Sequence, residues 1–449
     1  MMFQTFKNAW KIQDIRKKLL FTFFIIALFR IGSQIPVPFI DSEALKSYFS
    51  NSGVATSLLG YFNLLSGESF SNGTLFALSI SPYITASIVI QLLAVAIPAL
   101  ERLSKSGPEG QEKLQNYTRI LTIVLALVLS YGYYTVLRGG GDGQKMLFAT
   151  GTFPCIVIMA SLTAGACMVM WLGEKIDNNG IGNGISMILF AGILARGPVI
   201  LGQIIQYIKL IFGEGGNPVN IIWVVLALVV MVFSIWFVIY VTNAERRLPV
   251  QYAKRQVGRR IYGGNNTFLP LKLNMTGVMP IIFAQSIVMI PATLALIFTS
   301  WSSGINDWFS AGSKYPFYAI AYLILIVAFA YFYSEISFNP MEVASNLQKN
   351  GGTILGHRPG KATADYIRKV LGKVTFMGAV FLSIVAIFPL ILVMISRWIE
   401  IDATSIIAQL LANVALTGTS LLIVVGVALE TTRDLEAQIT MRNYKGFLE

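Results

Sequence analysis

Apolar runs of about 20 residues recur ten times along this chain, at roughly 19–37, 75–99, 118–138, 153–173, 184–212, 219–241, 278–299, 316–336, 374–396 and 406–429. Each has the length an α-helix needs to cross ~30 Å of hydrocarbon. Within lipid, backbone amides and carbonyls must find their partners inside helices or closed barrels. The runs therefore predict an all-α membrane protein with ten transmembrane helices. A length of 449 residues would otherwise suggest two or three soluble domains, but a chain 55% hydrophobic and 12% charged leaves no polar stretch long enough for one.

The net charge of +12 is unevenly placed. With a cytosolic N-terminus, the cytosolic side carries 26 Lys and Arg and the opposite side 7, with Arg30 counted inside its span. Such a bias fixes orientation and puts both termini in the cytosol. Lys7, Lys11, Arg16, Lys17 and Lys18 ahead of an apolar run resemble a secretory signal, but Gln34-Ile35-Pro36-Val37-Pro38 follows in place of a small-residue cleavage site. The run reads as a retained first span. Cys155 and Cys167 fall about 120° apart on the fourth predicted span, too far around the helix to pair with each other.

Residues 54–77 are moderately apolar but broken by Gly60, Ser66, Gly67, Glu68, Ser69, Ser71, Asn72 and Gly73. Composition allows either a re-entrant helix shielded from lipid or an external loop with a surface helix. Pro82 sits early in the second run and Pro280 opens the seventh, where each bends or starts a helix. Five spans before the middle of the chain and five after it permit an inverted repeat, with halves 1–212 and 213–449.

Chemistry is sparse. His357 is the single histidine, so no histidine metal cluster forms. Gly107-Pro108-Glu109-Gly110 lacks the lysine of a phosphate loop. Arg30 alone reads as an ionisable residue inside a span, near enough to its end to snorkel outward. These absences argue against an ion-coupled transporter and an intramembrane hydrolase, and no cofactor is implied.

Two connectors stand out, 243–277 and 337–373. The first holds Glu245-Arg246-Arg247, Lys254-Arg255 and Arg259-Arg260; the second holds Asn339-Pro340 and Gly356-His357-Arg358-Pro359-Gly360. Such basic clusters suit topology and anionic lipid, or phosphate of structured RNA and acidic protein surfaces. Their length favours a large cytosolic partner, because orientation alone needs only a few charges.

Several ordered segments then carry a specific resemblance: Phe29-Arg30-Ile31-Gly32 to Ile35-Pro36-Val37-Pro38, Pro82-Tyr83-Ile84-Thr85-Ala86-Ser87, Trp171-Leu172-Gly173-Glu174 and Gly180-Ile181-Gly182-Asn183-Gly184-Ile185-Ser186. Tyr252-Ala253-Lys254-Arg255, Phe338-Asn339-Pro340, Arg358-Pro359-Gly360 and Gly418-Thr419-Ser420-Leu421-Leu422-Ile423 continue it. Along essentially its whole length the chain resembles the SecY family, the central subunits of the bacterial protein-conducting channel. The resemblance implies two inverted five-helix halves around an hourglass pore in the bacterial inner membrane. It implies an apolar waist of Ile80, Ile84, Ile185, Leu189, Ile282 and Ile423, closed outside by a short plug helix over about 60–73 that includes Gly60, Asn63, Ser66, Gly67 and Glu68.

The same resemblance implies a lateral gate between the second and seventh spans, with Thr85, Ser87, Gln91, Gln285 and Ser286 as polar contacts. Arg247, Lys254, Arg255, Arg259, Arg260, Lys349 and Arg358 would dock the SecA motor or the ribosome. SecE and SecG are the implied membrane partners, and unfolded secretory or membrane polypeptides the implied substrates. Glu68 stands where relatives often carry a small residue, Phe39 where a Gly is frequent, and His357 where some relatives have an apolar residue.

Overall fold

The computed structural model describes residues 2–51, 63, 66–139, 146–199, 202, 205, 208–209, 221–252, 255–257, 260–262, 266–275, 277–288, 290–291, 316–398 and 406–445. Its helices are α1 (Met2–Lys11), α2 (Gln13–Gly32), α3 (Ser42–Asn51), α4 (Ser81–Ala96), α5 (Pro98–Lys105), α6 (Pro108–Gly139) and α7 (Thr152–Asn179). They continue as α8 (Gly184–Leu194), α9 (Ile221–Asn243), α10 (Met279–Val288), α11 (Phe317–Ser337), α12 (Pro340–Lys349), α13 (Lys361–Trp398) and α14 (Ile406–Lys445). Every apolar run of the sequence coincides with a helix over at least part of its length. Among the described residues four stretches are long and apolar enough to cross a bilayer, Pro108–Gly139, Thr152–Asn179, Phe317–Lys349 and Lys361–Phe388, or five if a bent pair counts as one.

Two predicted spans are interrupted. The run from 75 does not begin as helix: residues 75–80 are turns, and α4 starts at Ser81 with Pro82 in its first turn. There the missing N–H costs nothing and the fixed φ favours helix, so Pro82 starts the helix and does not kink it. At its far end the chain bends by 103° into α5, across the extended Ile97 and the following Pro98. The fifth run likewise breaks at Ala195–Arg196, just beyond α8.

The Gly180–Ser186 motif is a tight return between α7 and α8. Gly182 has φ +75°, and a Cβ on Gly184 would lie 2.0 Å from the Gly173 carbonyl oxygen, so only glycine lets these helices approach. Three of the turn's amides are held by side chains: Ile181 N–H donates to Thr22 Oγ1 at 3.1 Å, Gly184 N–H to Asp177 Oδ1 at 2.7 Å, and Ser186 N–H to the Asn183 cap at 3.1 Å. In Asn339-Pro340, Asn339 caps α12 and Pro340 opens it.

The connectors, expected as loops of an all-α protein, carry strands: β1 (Glu245–Tyr252), β2 (Arg255–Val257), β3 (Arg260–Tyr262), β4 (Asn266–Lys272) and β5 (Gly352–Ile354). β1 alternates, with Leu248 and Val250 buried and Arg247, Pro249 and Gln251 exposed. It pairs antiparallel with β4, Leu248 opposite Leu269, and with β5 from the other connector, Val250 opposite Ile354. The order β4-β1-β5 makes the two connectors one body. Leu248, Val250, Leu271, Ile354 and Ile367 form its core, and His357 stacks on Tyr366 at 4.0 Å beside it. Arg433 ties α14 to the membrane end of this body by donating to the Thr242 carbonyl at 2.8 Å.

The main core joins α2, α4, α7 and α8 to α9, α10, α11, α13 and α14. Around it the outer surfaces stay apolar: Phe23, Val124, Phe153, Val229, Phe233 and Trp236 are exposed. A face this greasy is the natural surface of a protein whose solvent is lipid.

The shared core of the joint sheet has a measurable consequence. Leu271→Ala, at a fully buried position of β4, should destabilise the sheet by about 2–4 kcal/mol. Amide exchange should accelerate in β5 as well as in β1 and β4, whereas acceleration confined to β1 and β4 would show that the connectors do not act as one body.

Candidate functional site

The six residues expected at a pore waist fall in one apolar cluster. Ile80, Ile84, Leu189, Ile282 and Ile423 are each at most 6% exposed, and Ile185 packs against them. They come from the start of α4, from α8, from α10 and from α14, on both sides of residue 212. Ile84 N–H donates to the Ile80 carbonyl at 3.1 Å across the first turn of α4, which sets both side chains on one face. α8 brings Ile185 and Leu189 forward from the Gly173–Gly184 contact. All six side chains are apolar, and the cluster they join is built of hydrophobic residues.

Outside the collar lie residues 66–74, where a plug helix was expected. Gly60 lies outside the described residues, and the described stretch 66–73 is a series of turns with no helix. Asn63 organises it: its carbonyl accepts from Glu68 N–H at 2.9 Å and its side chain accepts from Ser71 N–H at 2.9 Å. Ser66 Oγ accepts from Phe70 N–H at 3.0 Å, and Tyr133 Oη donates to the Phe70 carbonyl at 2.8 Å. The stretch is bridged to the Ile35–Val37 segment, through Val37 N–H to the Gly73 carbonyl and Leu75 N–H to the Ile35 carbonyl, both 2.9 Å. Arg30 does not snorkel outward. Its Nη1 is buried beside Gly67 and has no hydrogen-bond partner among the described residues.

The expected gate residues divide into two groups. Thr85 and Ser286 turn back on their own helices, donating to the carbonyls of Ser81 at 3.1 Å and Ile282 at 2.9 Å. Gln91 reaches across: it donates to Ser87 Oγ at 3.0 Å and accepts from the Tyr333 hydroxyl of α11. Gln285 is buried on α10, with the Tyr318 hydroxyl beside it. Tyr333 also packs on Phe283, ring centroids 5.0 Å apart, so the seam between α4 and α10 is completed by α11.

A further charged pair lies where sequence reading placed only Arg30. Arg119 near the start of α6 donates through Nε and Nη2, both at 2.8 Å, to the two carboxylate oxygens of Glu174 on α7. Gln115 adds a contact at 3.3 Å. Bidentate geometry and burial of Glu174 make this a brace between neighbouring helices.

The SecY family model matches residues 74–432. Whole-length relatives include the protein translocase subunits SecY of Streptomyces griseus, 42% identical with all of both chains covered, and Thermotoga maritima, 38% identical with 100% of this chain and 98% of that protein covered. The chain belongs to the SecY family.

Solved structures agree in fold. One described as a protein conducting channel superposes with a TM-score of 0.63 at 18% identity, covering 94% of this chain and 92% of that one. Sec61 from a canine ribosome-channel complex superposes with a TM-score of 0.59 over the same shares of each chain, also at 18% identity. In this SecY-family chain, the basic residues expected on the two connectors are spread over several of their elements. Arg247 is exposed and contacts Glu245 at 2.7 Å. Lys349 ends α12 and Arg358 lies exposed in the 355–360 tip. Arg255 and Arg260 belong to the paired strands β2 and β3, while Lys254 and Arg259 lie outside the described residues. Burial and nearby Arg433 hold the Lys272 ammonium below the ordinary lysine range.

Sequence reading missed Tyr333, Arg196 and the Arg119–Glu174 pair. The last had a usable signal: a cation where one span begins and an anion where its antiparallel neighbour ends meet at the same membrane depth. Arg119→Gln leaves the Glu174 carboxylate without its bidentate partner and should destabilise the protein by about 1.5–3 kcal/mol. Thermal unfolding in detergent would show this as a lower midpoint, recovered in part by adding Glu174→Gln. An unchanged midpoint would mean the brace carries no net stability.

Proposed function

We propose that this chain is the channel-forming subunit of a protein translocase, which passes unfolded secretory polypeptides across the bacterial inner membrane. The observation that carries the proposal is the single apolar cluster of Ile80, Ile84, Ile185, Leu189, Ile282 and Ile423, contributed by elements before and after residue 212. Residues 1–212 and 213–449 act as two halves, and the collar is the waist between them. When empty, an apolar constriction dewets and blocks ions, and when filled it slides along a polypeptide without specific bonds. Residues 60–73 serve as the plug above it. Membrane segments leave sideways between α4 and α10, where Gln91, Ser87 and Gln285 lie near the seam.

The channel itself catalyses no reaction, so vectorial work enters from a partner. The joint sheet of β1, β4 and β5, which carries Arg247, with Lys349 and Arg358 on the same connectors, is the landing platform for the SecA motor or a translating ribosome, and Lys254, Arg255, Arg259 and Arg260 of the first connector join in that docking. SecE and SecG are its membrane partners, and both termini face the cytosol.

The test is covalent trapping. A cysteine at Ile84 should form a disulfide with a cysteine in a secretory chain stalled halfway across, while a cysteine at the lipid-facing Phe233 should not. Translocation that proceeds with no adduct at position 84 would reject the waist.

A further inference from the structure

We propose that an ion pair between Glu68 and Arg196 latches the plug shut in this chain, an inference that rests on the channel reading above. The backbone gives the first reason. Glu68 has φ +72°, a left-handed conformation that costs a side chain about 1–2 kcal/mol and that glycine adopts freely. Its neighbour Gly67, at φ +62°, is a glycine by necessity: a Cβ there would lie 2.6 Å from the Gly192 carbonyl oxygen. The turn thus presses onto the end of α8 whatever residue occupies 68, and packing gives no cause for a glutamate there.

The carboxylate supplies the cause. Glu68 Oε1 lies 3.4 Å from Arg196 Nε, with the side chains 30% and 16% exposed. Arg196 stands in the turn that ends α8, the helix that carries Ile185 and Leu189. The pair therefore joins the outer cover directly to an element of the collar. A second guanidinium reinforces it: Arg30 Nη1 is buried against Gly67, and neither it nor Arg196 Nε has a hydrogen-bond partner among the described residues. Two cations thus flank the turn that carries one anion, and pulling the turn away would leave Arg196 without its carboxylate. Strain at Glu68 and burial of Arg196 are both offset while the plug sits in place. A chain entering the pore must break this contact, so the latch sets how readily the channel opens.

The experiment measures resting ion leak in planar bilayers of the purified channel with its copurifying membrane subunits, and compares it with the current when a secretory chain is engaged. Glu68→Gln and Arg196→Gln should each raise the resting leak about fivefold, the scale of a partly exposed ion pair. The exchanged double variant, Glu68→Arg with Arg196→Glu, should return it to within about twofold of the parent chain. Glu68→Gly removes the charge but also relieves the strained backbone, and should leak less than Glu68→Gln. Thermal unfolding midpoints of all variants separate a loosened latch from a misfolded protein.

Unchanged leak in correctly folded single variants, or no recovery on exchange, would overturn the latch. A parent channel that carries no current even with an engaged chain would instead overturn the channel reading on which the latch depends.

Discussion

The architecture depends on a contact with no strong bond in it, the meeting of Ile80 and Ile84 with Ile185, Leu189, Ile282 and Ile423 at the centre of the helical bundle. Burial of each such side chain contributes about 1.5–3 kcal/mol, and on the proposed channel reading that is enough to close a collar and weak enough to be undone residue by residue. Much of the surrounding chain holds these side chains at the right depth. Pro82 fixes where α4 begins, Asn183 caps α8, and Gly184 lets α8 lie against α7. A polar group in the collar would bring water or demand a partner, and either would spoil a seal that must also slip.

The cytosolic sheet answers a different constraint. A channel without a nucleotide site must receive force from outside, and a flexible loop transmits force poorly. Pairing β5 with β1 converts two connectors about a hundred residues apart in sequence into one rigid platform. Its hydrophobic core and the link from Arg433 to Thr242 fasten it to the membrane helices. On the proposed function, push or pull at the 355–360 tip would reach α13 and α14, and α14 carries Ile423.

Much of this was legible in the sequence because lipid leaves few choices. Apolar runs become helices, Pro82 and Pro280 mark helix starts, and Asn339-Pro340 reads as a cap followed by a first turn. The isoleucines that the resemblance names from distant parts of the chain lie within the main hydrophobic core. What escaped were contacts with no periodicity: Glu68 with Arg196, Gln91 with Tyr333, and Arg119 with Glu174 are each separated by 55 residues or more. The three-residue β5 is too short for alternation to announce it. Arg30 was misjudged because its position near a span end suggested water, whereas the folded-in turn at Gly67 covers it. Of the stretch expected as a plug helix, Asn63 is helical and residues 66–73 are turns, with residues 60–62 and 64–65 outside the described residues.

The most direct test of the account is the resting ion conductance of the channel with Ile84, Ile282 and Ile423 all replaced by serine. Serine keeps the collar narrow but wets it. The account predicts a resting conductance at least about tenfold above that of the parent chain, since wetting removes the dewetting barrier, and a return toward the parent value when leucine occupies the same positions. A serine collar that seals as well as the isoleucine one would contradict the claim that an apolar constriction between the two halves closes this channel.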